Sequence, residues 1–112
     1  MTVKQAAEKL GFAILAGEDS LQREIEKVYC CDLLSFVMGR APADSAWVTV
    51  MGNINAMAVA TLADTACIVL AENAALDEDA AAKANLMDIA VLRSGLPVYE
   101  TAKAIEQAKA DD

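Results

Sequence analysis

No histidine occurs anywhere in the 112 residues, and this absence removes more chemistry than any other. Serine–histidine and cysteine–histidine dyads, histidine-based zinc sites and imidazole general bases are all excluded. Aromatic side chains are scarce at 4%; the lone Trp47 is no platform for stacked bases and is expected in the core or an interface. Cationic residues are short too: nine Lys plus Arg face seventeen Asp plus Glu, for a formal charge of −8. Such a surface repels phosphate backbones and anionic lipid at long range, which argues against nucleic acid and membrane as partners. No apolar run approaches the roughly 18 residues of a membrane span, and Glu8 precedes the first apolar stretch, unlike a secretory leader. A soluble, cytoplasmic protein is the expectation. Neither GxxxxGK[ST] nor GxGxxG is present, so the standard nucleotide cradles are missing.

What the chain has is apolar bulk. Hydrophobic residues make up 56%, against roughly 45–50% in ordinary soluble domains, and the surplus of Ala, Val, Leu and Met suggests a self-association face. Its length predicts a single domain over residues 1–112.

Periodicity and punctuation set out the elements. "TVKQAAEKLG" predicts a helix capped by Thr2 and stopped at Gly11. "FAILA" predicts a buried strand ended by "GEDS". "REIEKVYCC" keeps no strict two-residue phase, so a bulge or an early end is expected there. "DLLSFVMGR" reads as a short helix with Asp32 as N-cap and Gly39 as stop, followed by a turn at "APADS". From Ala46 onward, strands "AWVTVM", "ACIVLA" and "IAVLR" alternate with helices "AMAVATLAD", "ALDEDAAAKANLMD" and "PVYETAKAIEQAKADD". Asp77, Glu78 and Asp79 suit the positive end of their helix, and Pro97 suits a first turn. The alternation predicts an α/β fold of three layers, α/β/α-like, with a mixed, largely parallel sheet of about five strands.

Three stretches are candidate sites. Cys30 and Cys31 are adjacent, so in a strand one thiol faces the core and the other faces out, and a disulfide between them is disfavoured. With Cys67 the only other thiol, a metal site lacks ligands, and buried free cysteine is the expected state; an outward Cys31 beside a helix start could be reactive. "MGNINAMAVA" places a glycine turn and free helix amides at the sheet's carboxyl edge, where α/β folds bind ligands. There Gly52 permits the turn and Asn53 or Asn55 can cap, although any strand-to-helix turn needs such residues. In "DLLSFVMGR", Asp32, Ser35 and Arg40 are set in an apolar frame, and Arg40 is expected to pair with a nearby carboxylate.

Taken together, "DLLSFVMGR", "AWVTVMGNINAMAVATLADTACIVLAEN" and the closing strand–helix pair resemble the DRTGG domain family. The likeness runs from about Leu15 to Lys109, with "DLLSFVMGR" and "WVTV" its most specific pieces, and extends to the N-terminal domain of HPr kinase/phosphorylase. Members with the full signature carry a Gly-Asp-Arg-Thr-like turn before the central helix and a Thr-Gly-Gly-like turn after the next strand. Here those positions hold Gly52-Asn53-Ile54-Asn55 and Ala71-Glu72-Asn73, so only Gly52 is kept. The resemblance implies a dimerising, regulatory module like those that accompany CBS pairs in regulated pyrophosphatases. A kinase assignment does not follow, because the P-loop of HPr kinase lies in a separate domain.

The leading expectation is a non-catalytic regulatory or adaptor module, homodimeric and associated with a metabolic enzyme, with no cofactor, no metal and no catalytic residue. Leu33, Leu34, Phe36, Val37 and Trp47 are its candidate interface. The alternative is a sensor of an adenine nucleotide or other anionic metabolite, using Gly52, Asn53 and Asn55 with Asp32 and Ser35. An enzyme built on Asp32, Ser35 or Cys31 is the third reading, but its nucleophile would need a lysine or carboxylate base that the local sequence does not supply.

Overall fold

Thr2 begins helix α1 (Val3–Leu10) through a reciprocal capping box. Its Oγ1 accepts from the Gln5 amide at 3.1 Å, and Gln5 Oε1 accepts from the Thr2 amide at 2.9 Å. Strand β1 (Ala13–Ala16), a 3-10 turn (Glu18–Ser20) and strand β2 (Lys27–Cys30) follow. Helices α2 (Leu34–Arg40), α3 (Ile54–Ala63), α4 (Glu78–Leu86) and α5 (Val98–Ala110) then alternate with strands β3 (Ser45–Thr49), β4 (Cys67–Leu70) and β5 (Val91–Arg93). The computed structural model describes all 112 residues.

The sheet has five strands in the order β1-β5-β4-β3-β2. Strands β2 to β5 run parallel, each beside its successor, while β1 lies antiparallel to β5. Adding parallel strands in one direction puts their crossover helices on one face. Accordingly α2, α3 and α4 pack together on that face, and α1 packs with α5 on the other. The expected three-layer, largely parallel α/β architecture is the one observed.

The central strands divide their side chains between two cores. Val48, Cys67, Val69 and Leu92 face α1 and α5, whereas Trp47, Ile68, Leu70 and Val91 face α2, α3 and α4. Every residue of β3 and β4 is buried, as expected for strands covered on both sides. Alanines make the layers thin: Ala56 and Ala60 of α3 and Ala80 and Ala84 of α4 are buried against the sheet. At the sheet's amino edge, Arg23 links two loops by donating to Asp44 Oδ1 at 2.8 Å and Asp64 Oδ1 at 2.8 Å.

Several expectations change. "FAILA" is an edge strand, exposed at Ala13 and Ile14, because β1 pairs on one side only and just its Leu15–Ala16 end packs against the core under α4. The irregular register falls in β1, between Ile14 and Ala16, while β2 starts late, at Lys27. Helix α2 continues through Gly39 to Arg40 and ends on Ala41 in extended backbone, so Gly39 is no stop.

Candidate functional site

Parallel strands bring four turns to one edge: Cys31–Leu33 after β2, Val50–Asn53 after β3, Ala71–Leu76 after β4 and Ser94–Pro97 after β5. This carboxyl edge holds Cys31, Asp32, Leu33, Gly52, Asn53 and Asn55 of the residues singled out above, and the structure assigns several of them different work.

Asp32 is not the cap of α2. Leu33 occupies the cap position and no side chain bonds the first turn. Asp32 Oδ1 instead accepts from Thr49 Oγ1 at 2.6 Å and from the Val50 amide at 3.1 Å. The carboxylate therefore ties the end of β2 to the end of β3 and satisfies a fully buried hydroxyl. Ser35, one turn along α2, is exposed, and it makes no bond to Asp32. The acid and the hydroxyl do not form a catalytic pair.

The thiols take the opposite sides from those expected. Cys30 is exposed, and Cys31 is half-buried against the α2–α4 core, its Sγ 3.7 Å from the Leu33 carbonyl. Partial desolvation by the protein around its exposed side chain, helped by the nearby Asp32 carboxylate, holds the Cys30 thiol above its ordinary pKa. Cys67 is fully buried on the other face, and burial pushes its pKa up to about 12. All three cysteines are free. No group of three or more ligand-type side chains is placed to hold a metal ion.

The Gly52 turn is built by close approach. Gly52 is buried, and a Cβ there would lie 2.0 Å from the Ala75 carbonyl oxygen. Its own carbonyl accepts from the Asp77 amide at 2.9 Å, so the β3–α3 turn packs directly on the β4–α4 loop. Asn53 caps α3, its Oδ1 accepting from the Ala56 amide at 2.9 Å, while Asn55 is exposed in the first turn without a partner.

The next loop keeps a glycine-like backbone without glycine. Glu72 and Asn73 have φ of 58° and 56°, the left-handed region that side chains disfavour. These are the positions where the resemblance places Gly-Gly. Tertiary bonds hold them: the Glu72 amide donates to the Leu96 carbonyl at 2.8 Å and the Asn73 amide to the Ser94 carbonyl at 2.9 Å. Beside them runs a closed circuit. The Leu96 amide donates to Ser94 Oγ at 3.0 Å, and Thr101 Oγ1 donates to the Leu96 carbonyl at 3.1 Å. Each hydroxyl has one proton, so the Ser94 hydroxyl donates to Thr101 Oγ1, 2.9 Å away.

Asp32, Thr49, Asn53, Ser94 and Thr101 are thus bonded within the chain, and beside exposed Asn55, Glu72, Asn73 and Asp77 this edge also presents apolar side chains to solvent. Leu33 is 53% exposed, Phe36 42%, Val50 39% and Ile54 36%. Leu96, in the β5–α5 turn, and Tyr99, at the start of α5, are exposed as well. Trp47 and Val37 leave the candidate interface, because both are fully buried in the core, with Trp47 Nε1 donating to the Cys31 carbonyl at 2.8 Å. Leu34 is half-buried. Arg40 pairs with no carboxylate; its guanidinium lies 3.8 Å over the Phe36 ring. The surface concavities lie elsewhere, the largest about 390 Å³ beside Gly17, Asn85 and Asp88.

The exposure of Val50, Ile54 and Leu96 escaped sequence reasoning. Each sits beside a strand end or helix start that would read the same if it were covered.

No curated protein matches the chain. Among solved structures it is similar to the CBS and DRTGG domains of the regulatory region of Clostridium perfringens pyrophosphatase, complexed with the activator diadenosine tetraphosphate. The TM-score is 0.76 at 8% identity, over 96% of this chain and 46% of that one, so the likeness is one of fold and spans about half of the larger chain. The model of the DRTGG domain matches residues 5–108, nearly the whole chain. With the carboxyl-edge turns and the β-α order in place, the chain belongs to the DRTGG domain family.

Proposed function

We propose that this domain is a non-catalytic regulatory module that works by contact, associating with a second copy of itself and with a metabolic enzyme. One observation carries this reading. At the edge where an α/β fold ordinarily presents polar groups to a substrate, Asp32, Thr49, Asn53, Ser94 and Thr101 are bonded within the chain, and Leu33, Phe36, Val50 and Ile54 stand exposed. Exposed apolar side chains gathered in one region mark interaction sites more often than chemistry. Sedimentation at micromolar concentration tests the self-association. A dimer is expected, and a clean monomer overturns it.

A second reading is favoured by the similar fold complexed with a nucleotide activator. On that reading an adenine nucleotide or related anion sits at the Gly52–Asn55 turn, against the first-turn amides of α3. Thermal shift with AMP, ATP and diadenosine tetraphosphate separates the two. A stabilisation lost in Asn55→Asp favours the sensor, and no shift with any of the three favours the contact module.

A further inference from the structure

We infer that two copies of this chain meet through helix α2, laid antiparallel across a two-fold axis at Phe36, with Arg40 of each copy on Asp32 of the other. This rests on the self-association proposed above and specifies the surface and its orientation.

The first ground is self-complementary charge. Asp32 lies in the turn just before α2, four residues ahead of Phe36, and Arg40 is the last residue of the helix, four after it, so a two-fold axis at Phe36 sets the acidic turn before one helix against the basic end of the other. An isologous contact needs this pattern, in which residue i meets j and j meets i. Both groups have capacity to spare. Asp32 is exposed and only its Oδ1 is bonded within the chain. Arg40 has no carboxylate partner and is already held against the Phe36 ring.

The second ground is Gly39. Glycine inside a helix costs about 1 kcal/mol relative to alanine, and the fold offers no reason for it here. The residue lies within α2, its φ is not positive, and a Cβ there would meet nothing within 4 Å. Close approach by another chain supplies the reason. Gly39 and Ser35, four residues apart and both exposed on α2, are small beside exposed Phe36, which lets a facing helix approach closely.

The third ground is extent. Helix α2 alone falls short of the roughly 800 Å² per partner that stable complexes bury. Asp32, however, is bonded to the Val50 amide, which brings exposed Val50 close to the turn that carries exposed Leu33 and extends the apolar surface beyond the helix.

Sedimentation equilibrium of the full chain and three variants tests the inference. Gly39→Leu adds bulk to this surface without an internal clash, so its monomer should melt no lower than wild type while its dimer weakens by about tenfold or more. Arg40→Glu should weaken the dimer similarly by setting like charges together. Asp32→Lys and Arg40→Glu, each monomeric alone, should form a heterodimer on mixing, because both cross-pairs are then opposite in sign. If Asp32→Lys does not fold, the other variants decide the matter. A wild-type dimer that Gly39→Leu and Arg40→Glu leave within about twofold of its affinity overturns this geometry and leaves self-association standing; a monomeric wild type removes both.

Discussion

Replacing Asp32 by alanine separates two accounts of the turn after β2. As a helix cap, Asp32 would contribute about 1 kcal/mol, and its loss would be felt in α2 alone. In the structure its Oδ1 accepts from Thr49 Oγ1 at 2.6 Å and the Val50 amide at 3.1 Å, and Thr49 is fully buried. Hydrogen bonds to a charged group contribute about 1.5–3 kcal/mol, and a buried hydroxyl left unpaired costs about 1–3 kcal/mol. Asp32→Ala should therefore cost about 2–4 kcal/mol. Thr49→Val removes the same bond from the other side while leaving the exposed carboxylate free to meet water, and should cost less. The Thr49 hydroxyl still accepts from the Met51 amide at 3.3 Å, but its proton has lost its acceptor; in the double variant that group is gone, so the two losses should fall short of additive by at least about 1 kcal/mol. Urea unfolding followed by fluorescence suits the measurement, because buried Trp47 is bonded to the Cys31 carbonyl and reports on this corner. Additive losses, with Asp32→Ala near 1 kcal/mol, would refute the strand-tie reasoning.

Glu72→Gly should raise stability by about 0.5–1 kcal/mol, since it relieves a left-handed backbone that tertiary bonds impose; chemical denaturation that finds it destabilising would count against this. Gly52→Ala should cost at least about 1–3 kcal/mol, because the added methyl meets the Ala75 carbonyl rather than a movable side chain, and a thermal midpoint equal to wild type would contradict the packing described. Cys67 makes a prediction in pH. The unfolded thiol ionises from its ordinary 9.0, whereas the folded one holds its proton to about 12. Its contribution is intact below the lower value and is lost as pH rises across that window, at about 1.4 kcal/mol per pH unit. Urea midpoints from pH 8 upward should fall less steeply in Cys67→Ala than in wild type, and parallel slopes would sink the argument.

Local chemistry made much of this fold legible. Thr2 and Gln5 spell a capping box, Asn53 reads as a cap and is one, and the unbroken apolar run of β4 reads as a strand covered on both faces. What stayed hidden depends on pairing between distant segments. Ile14 and Leu15 look as burial-prone as Ile68 and Val69, and only the strand order puts the first pair at an edge. Asp32 precedes a helix, as caps do, yet the β2–β3 register sets Thr49 and Val50 against it. Trp47 as core rather than interface follows from which sheet face α2, α3 and α4 cover. The resemblance located the Glu72–Asn73 turn, and the backbone shows why glycine suits that position even where this chain lacks it.

Amide hydrogen exchange on the intact chain, compared between dilute and concentrated solution, addresses the central claim that the exposed carboxyl edge and α2 form the working surface. Protection that grows with concentration in Leu34–Arg40 and Val50–Ile54, and not in β1 or α4, is the predicted result. Exchange indifferent to concentration, or new protection confined to β1 and the Gly17–Asp88 concavity, would contradict it.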